Sequence, residues 1–89
     1  MPRSPEPTVI EDADAVRAAG KIHKLLIRKG EVTEGDIMTL LGFDKRTVRR
    51  AIIVLTTAGM TEKRVSAYPI WVLRLTDSEV RRLRAESRL

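Results

Sequence analysis

Lys45, Arg46, Thr47, Arg49, Arg50, Lys63 and Arg64 are the residues whose types and spacing suit one chemistry, the binding of a polyanion. Arginine offers a planar fork of N–H donors that matches phosphate oxygens and the guanine edge; lysine offers a compact charge. Placed at 100° steps, Arg46, Arg49, Arg50 and Thr57 point one way. Val48, Ala51, Ile52 and Leu55 point the other, with Val54 and Ala58 at the edge. Such a helix has one face for a core and one for an anion. Its start would bring Arg46 and Arg49 to base edges, with Lys45 and Arg50 on phosphates. Lys63 and Arg64 would add a phosphate or minor-groove contact. The competing view is a solvated face kept soluble by charge, which is what most charge clusters are.

Ile53 interrupts this basic face between Arg49 and Arg46. Contact with a second subunit and a plain exposed isoleucine account for it equally well, and contact with a thymine methyl ranks below both. The chain has no Asn or Gln, the usual bidentate readers of adenine, so specific hydrogen bonding falls to arginine and lysine.

Other chemistries find no support. His23 is the single histidine and lies on an apolar stripe, with Ile27 rather than a ligand one turn on. It reads as a buried, hydrogen-bonded histidine, not a metal ligand or a base. Ser4, Ser66, Ser78 and Ser87 sit in no nucleophile motif, and no Gly-rich phosphate loop occurs. Asp12, Asp14, Asp36 and Asp44 look like helix-start residues. Tyr68 and Trp71 are too few and too separated for a stacking platform, and Trp71 reads as core. No enzyme, cofactor or metal is expected.

Several elements must position the basic residues. Met1 to Thr8 holds three prolines and reads as a tail, with residues 1–10 expected to be disordered. A first helix is predicted from about Asp12 to Lys29, stopped by Gly30. Val16, Ala19, Ile22, His23, Leu26 and Ile27 form its apolar face. Ala18 and Leu25 lie just outside and widen it, which suggests contact beyond its own core. Glu31-Val32 is a short extended link. Thr33 caps a second helix with Asp36 in its first turn, burying Ile37, Leu40 and Leu41 and ending at Gly42. Asp44 caps the basic helix, which runs to Ala58 and stops at Gly59. Met60–Val65 and Ile70–Leu75 read as strands joined by Ser66 to Pro69, with Trp71, Leu73 and Leu75 on one face. Thr76-Asp77-Ser78-Glu79 is a capping box opening a last helix to about Arg88. Its buried stripe, Val80 and Leu83, is thin. Arg81, Arg82, Arg84 and Arg88 make it basic, and Arg82 can pair with Glu79 and Glu86.

Composition sets the bounds. The chain has 89 residues and a net charge of +5 with pI near 10.2, one domain with a mild bias toward anionic partners. No run is long enough to span a bilayer and no signal pattern appears, so a cytoplasmic chain at the nucleoid is expected. Without Cys, no disulfide or thiolate metal site can form. Cys, Asn and Gln, all absent, are heat-labile types and charged residues reach 33%, a pattern that fits a thermophilic, archaeal source and that chance or GC-rich coding also produces in a short chain.

The order helix, extended piece, helix, helix, hairpin, helix is that of a winged helix-turn-helix. The fold class is α+β, mainly α: a three-helix core, a two-stranded wing and a C-terminal helix. The pattern resembles the small winged-helix transcription regulators of bacteria and archaea, of the MarR and related groups. The resemblance covers roughly residues 14–75. It rests on Gly30-Glu31-Val32-Thr33, Leu40-Leu41-Gly42-Phe43, Thr47-Val48, Leu55, Ala58-Gly59-Met60 and the charged Glu62-Lys63-Arg64. It implies that residues 11–76 form a DNA-binding domain; the C-terminal helix over 77–89 reads mainly as a solvated face, with a dimer element or a second anionic contact as the alternatives. The expected function is double-stranded DNA binding by a homodimeric transcription regulator, with no room for a separate effector domain. The alternatives are a nucleoid-associated or replication-linked DNA-binding protein, an adaptor that uses the winged helix for protein contact, and an RNA-binding protein.

Overall fold

The computed structural model describes residues 6–67 and 70–89, with side chains from Ala13 onward except Ser66. In order, the elements are α1 (Glu6–Lys29), β1 (Glu31–Val32), α2 (Glu34–Leu41), α3 (Lys45–Thr57), β2 (Thr61–Ala67), β3 (Ile70–Leu75) and α4 (Asp77–Ala85). The expected architecture is present, mainly helical, with one enlargement. The sheet has three strands in the order β1-β3-β2, all antiparallel neighbours. Glu31 and Val32 pair with Arg74 and Leu73, so the short link is the third strand of the wing's root.

Helix α1 starts at Glu6 rather than near Asp12. Pro7 then falls in the first turn, where a missing N–H is no loss. The expected tail over residues 1–5 lies outside the described residues, as do Tyr68 and Pro69 of the expected connection. The buried face of α1 is also turned from the expected one, toward Ala15, Ala18 and Leu25. Ala15, Ala18, Ala19, Ile22, Leu25 and Leu26 are buried, while Val16 is 57% exposed. The three alanines let α1 lie close against α3, its principal neighbour, whose Ala51 is buried too.

Helix α2 begins with a full capping box: the Thr33 hydroxyl accepts from the Asp36 amide, and the Asp36 carboxylate accepts from the Thr33 amide. Ile37 is buried, but Leu40, expected inside, is 53% exposed. In this two-turn helix the core lies on the side of Ile37, Met38 and Leu41, which leaves Leu40 outside. Helix α3 follows its expected pattern, with Val48, Ala51, Ile52 and Leu55 buried.

The ends of α3 and α4 share one motif. After α3, the Gly59 amide donates to Thr56 and the Met60 amide to Leu55, with Gly59 at φ 77°. After α4, the Ser87 amide donates to Arg84 and the Arg88 amide to Leu83, with Ser87 at φ 60°. Both are Schellman endings, whose central residue must be left-handed. This turn ends α4 at Ala85, short of the expected Arg88.

Candidate nucleic-acid interface

Asp44 takes the N-cap position of α3, and its carboxylate accepts from the Thr47 amide at 3.1 Å. Hydrogen bonds from the Thr47 hydroxyl and amide hold this carboxyl below its ordinary range. Half-buried Thr47 is thus engaged in building the helix start. Lys45, Arg46 and Arg49 are exposed beside it; Arg50 is half-buried.

The basic residues divide into two groups. Arg46, Thr47 and Arg50 line a shallow recess with Asp14 and Ala15 of α1. Arg49 instead lines a groove between α3 and the wing, shared with Glu34, Ile52, Ile53, Lys63 and Trp71. There the Arg49 Nε–H donates to Glu34 Oε2 at 3.0 Å, with the Arg49 side chain 62% exposed. The Lys63 ammonium lies 4.6 Å from the Trp71 ring centroid, a cation–π contact. Trp71 packs against the core from its edge and is half-buried.

Strand register explains why Lys63 and Arg64 are separated. Lys63 pairs with Leu73 and Val65 with Trp71, so these share the face toward the helices. Arg64 pairs with Val72 and Glu62 with Arg74 on the opposite face. Arg64 lies 4.0 Å from Glu62 there, and Arg74 lies 3.6 Å from the same carboxylate. Ile53 is 63% exposed, Val65 68% and Ile70 58%; Val65 shares the wing face toward the helices, whereas Ile70 alternates with Trp71 onto the other face.

A second polar centre lies away from this groove. His23 Nε2 is 2.7 Å from Glu79 Oε2, and both residues are buried. Arg82 donates to both oxygens of Glu79, at 2.8 and 2.6 Å, and to Glu86 at 2.7 Å. The Thr76–Glu79 box is therefore half formed: Thr76 accepts from the Glu79 amide, but the Glu79 side chain turns inward to His23. Arg82, with His23 second, holds the Glu79 carboxyl below its usual range, and Glu79 keeps the Arg82 guanidinium protonated even more firmly than usual. The sequence showed the Glu79–Arg82–Glu86 spacing but not that Glu79 is buried. The period-3.6 alignment of Glu79 with Leu83 was the signal available.

Residues 8–67, from α1 through β2, match the model of the TFIIE alpha subunit family. The chain belongs to the TFIIE alpha family. The structure of the transcriptional regulator homologue protein from Pyrococcus horikoshii OT3 shares its fold, with a TM-score of 0.63 at 19% identity. That match covers 92% of this chain and 86% of that one. No curated protein matches the chain. This member of the TFIIE alpha family is thus a winged helix-turn-helix domain of the DNA-binding, transcription-related kind. The match carries nothing specific to MarR-like regulators. No helix among the described residues is long and apolar enough to cross a membrane.

Proposed function

We propose that the chain binds duplex DNA in transcription, with the exposed side of α3 in the major groove and the wing beside the adjoining backbone. One observation carries this: Arg49, exposed in the second turn of α3, stands where such helices present base-reading side chains. Lys45 and Arg46 supply charge at the same helix start, and Lys63 supplies it from the helix-facing side of the wing. Arg64, on the far face of the wing, serves the flanking phosphate.

The chain alone is proposed as the binding unit. The small size of the domain and the broad first-helix stripe favour a homodimer of the first and last helices, but Ala18 and Leu25 of that stripe are buried in the chain's own core. Val16 is the large apolar side chain left exposed on the described part of α1.

A mobility shift with a duplex selected from a random pool tests the proposal. Arg49→Ala is expected to cost about 1–3 kcal/mol on the selected site and less on random DNA. Arg82→Ala should leave binding to both unchanged where the protein stays folded, because Glu79 and Glu86 engage that arginine. Equal weakening of both duplexes by Arg49→Ala would favour an architectural, nucleoid-associated role. The exposed Ile53, Val65 and Ile70 favour a second reading, a protein-contact adaptor, which predicts no retarded band even at low salt.

A further inference from the structure

We propose that Glu34 is a positioning residue for Arg49, which aims its guanidinium at a guanine edge and withholds its charge from backbone phosphates. This rests on the DNA-binding role proposed above and names the residue that gives it sequence preference.

Glu34 is the first residue of α2, and Arg49 lies one helix further on. Their contact spans the turn between the two helices. The Glu34 side chain is 20% exposed against 62% for Arg49, so the carboxylate is set back in the groove and the guanidinium projects past it. The hydrogen bond uses Nε, the nitrogen nearest the stem. The two terminal nitrogens at the outer end of the fork then extend beyond the carboxylate. Paired donors at that end match the O6 and N7 acceptors of guanine in the major groove.

Two consequences come from one contact. A free arginine must give up its rotamer freedom to read a base, whereas Arg49 is already held. The Glu34 charge also offsets that of Arg49, so a phosphate, which needs only positive charge, gains less from it. Both effects widen the gap between the right duplex and any duplex. The contribution matters here because, without Asn or Gln, arginine carries most of the available base code. A half-exposed ion pair adds little to fold stability, so the effect belongs to recognition.

Two substitutions separate orientation from charge. The Glu34→Gln amide oxygen still accepts the Nε–H, while Glu34→Ala removes acceptor and charge together. Affinities are measured by fluorescence anisotropy on three duplexes: the selected site, the same site with its guanine contact changed to adenine, and a random sequence. The unaltered chain should prefer the guanine duplex by roughly tenfold, within the range for one bidentate contact. Both variants should bind random DNA several-fold more tightly, with a log–log salt slope steeper by up to about 0.9, one phosphate's share. Glu34→Gln should keep most of the guanine preference, and Glu34→Ala should lose most of it. A structural role alone would weaken all three duplexes together. The proposal is overturned if Glu34→Ala keeps the full preference, or if neither variant tightens on random DNA. Should Glu34→Ala fail to fold, Glu34→Gln decides through its random-DNA affinity and salt slope. No binding of any duplex by the unaltered chain would instead remove the DNA-binding role itself.

Discussion

Glu79 is a carboxylate enclosed by the fold. It is 4% exposed, with His23 on one side and the Arg82 fork on the other. A buried carboxylate persists because every oxygen has a donor. Its lowered pKa fixes the sign of the pH effect: the stabilisation is complete above the ordinary carboxylate range and lost as the medium becomes more acid. Glu79→Gln should therefore cost about 1–3 kcal/mol near pH 7. The gap from the unaltered chain should shrink as pH falls below about 4.3, the unfolded carboxylate value. Urea midpoints at pH 7, 5 and 3 check this; a constant gap would contradict it. Thr61 presents the opposite case. It is 2% exposed on the core face of β2, and its hydroxyl has no partner among the described residues. Thr61→Val keeps the shape and removes the unmet hydrogen-bonding group. It should raise stability by about 1 kcal/mol in the same denaturation assay.

At the scale of elements, the two Schellman endings invite direct comparison. Gly59 adopts its left-handed turn without a Cβ penalty, while Ser87 bears one at φ 60°. Ser87→Gly should stabilise the chain by about 0.5 kcal/mol, since relief of the Cβ clash exceeds glycine's extra unfolded entropy. A lower unfolding midpoint would show that the Ser87 side chain contributes more than its backbone costs. The same elements show what was legible in the sequence. The helices and strands appear at nearly the expected places because caps and glycines are local signals. Asp44 with Gly59 bounded α3, and Thr33 with Gly42 bounded α2. The face of α1 was misplaced because Ala15 and Ala18 weigh little on any hydrophobic scale. Close approach of two helices selects small residues, and that is a property of the pair. In the candidate site, the basic residues were legible as a set. Their division into an α1-side group, a groove group and Arg64 on the far face was not. It depends on the register of β2 against β3 and on a cross-helix partner, Glu34, far off in sequence.

For the molecule as a whole, the net charge of +5 sets a weak attraction to any polyanion, and the number of engaged cations sets its salt dependence. A single chain touching about three phosphates should give a log–log salt slope near −3. Light scattering at tens of micromolar should then report a mass near 10.0 kDa. A slope near −5, from about six phosphates, together with a doubled mass would support the homodimer. A slope near zero would remove electrostatic attraction from the mechanism.

The short strand β1 has a mechanical consequence. It pairs with β3 at Leu73 and Arg74, while Val72, Trp71 and Ile70 pair with β2 on the other edge, Ile70 past an irregular step between Val65 and Ala67. The sheet is thus built like a clamped beam, widest at its root, where three strands meet at Leu73 and Arg74. Bending such a beam leaves its root, and the helix orientation fixed by the core, unchanged.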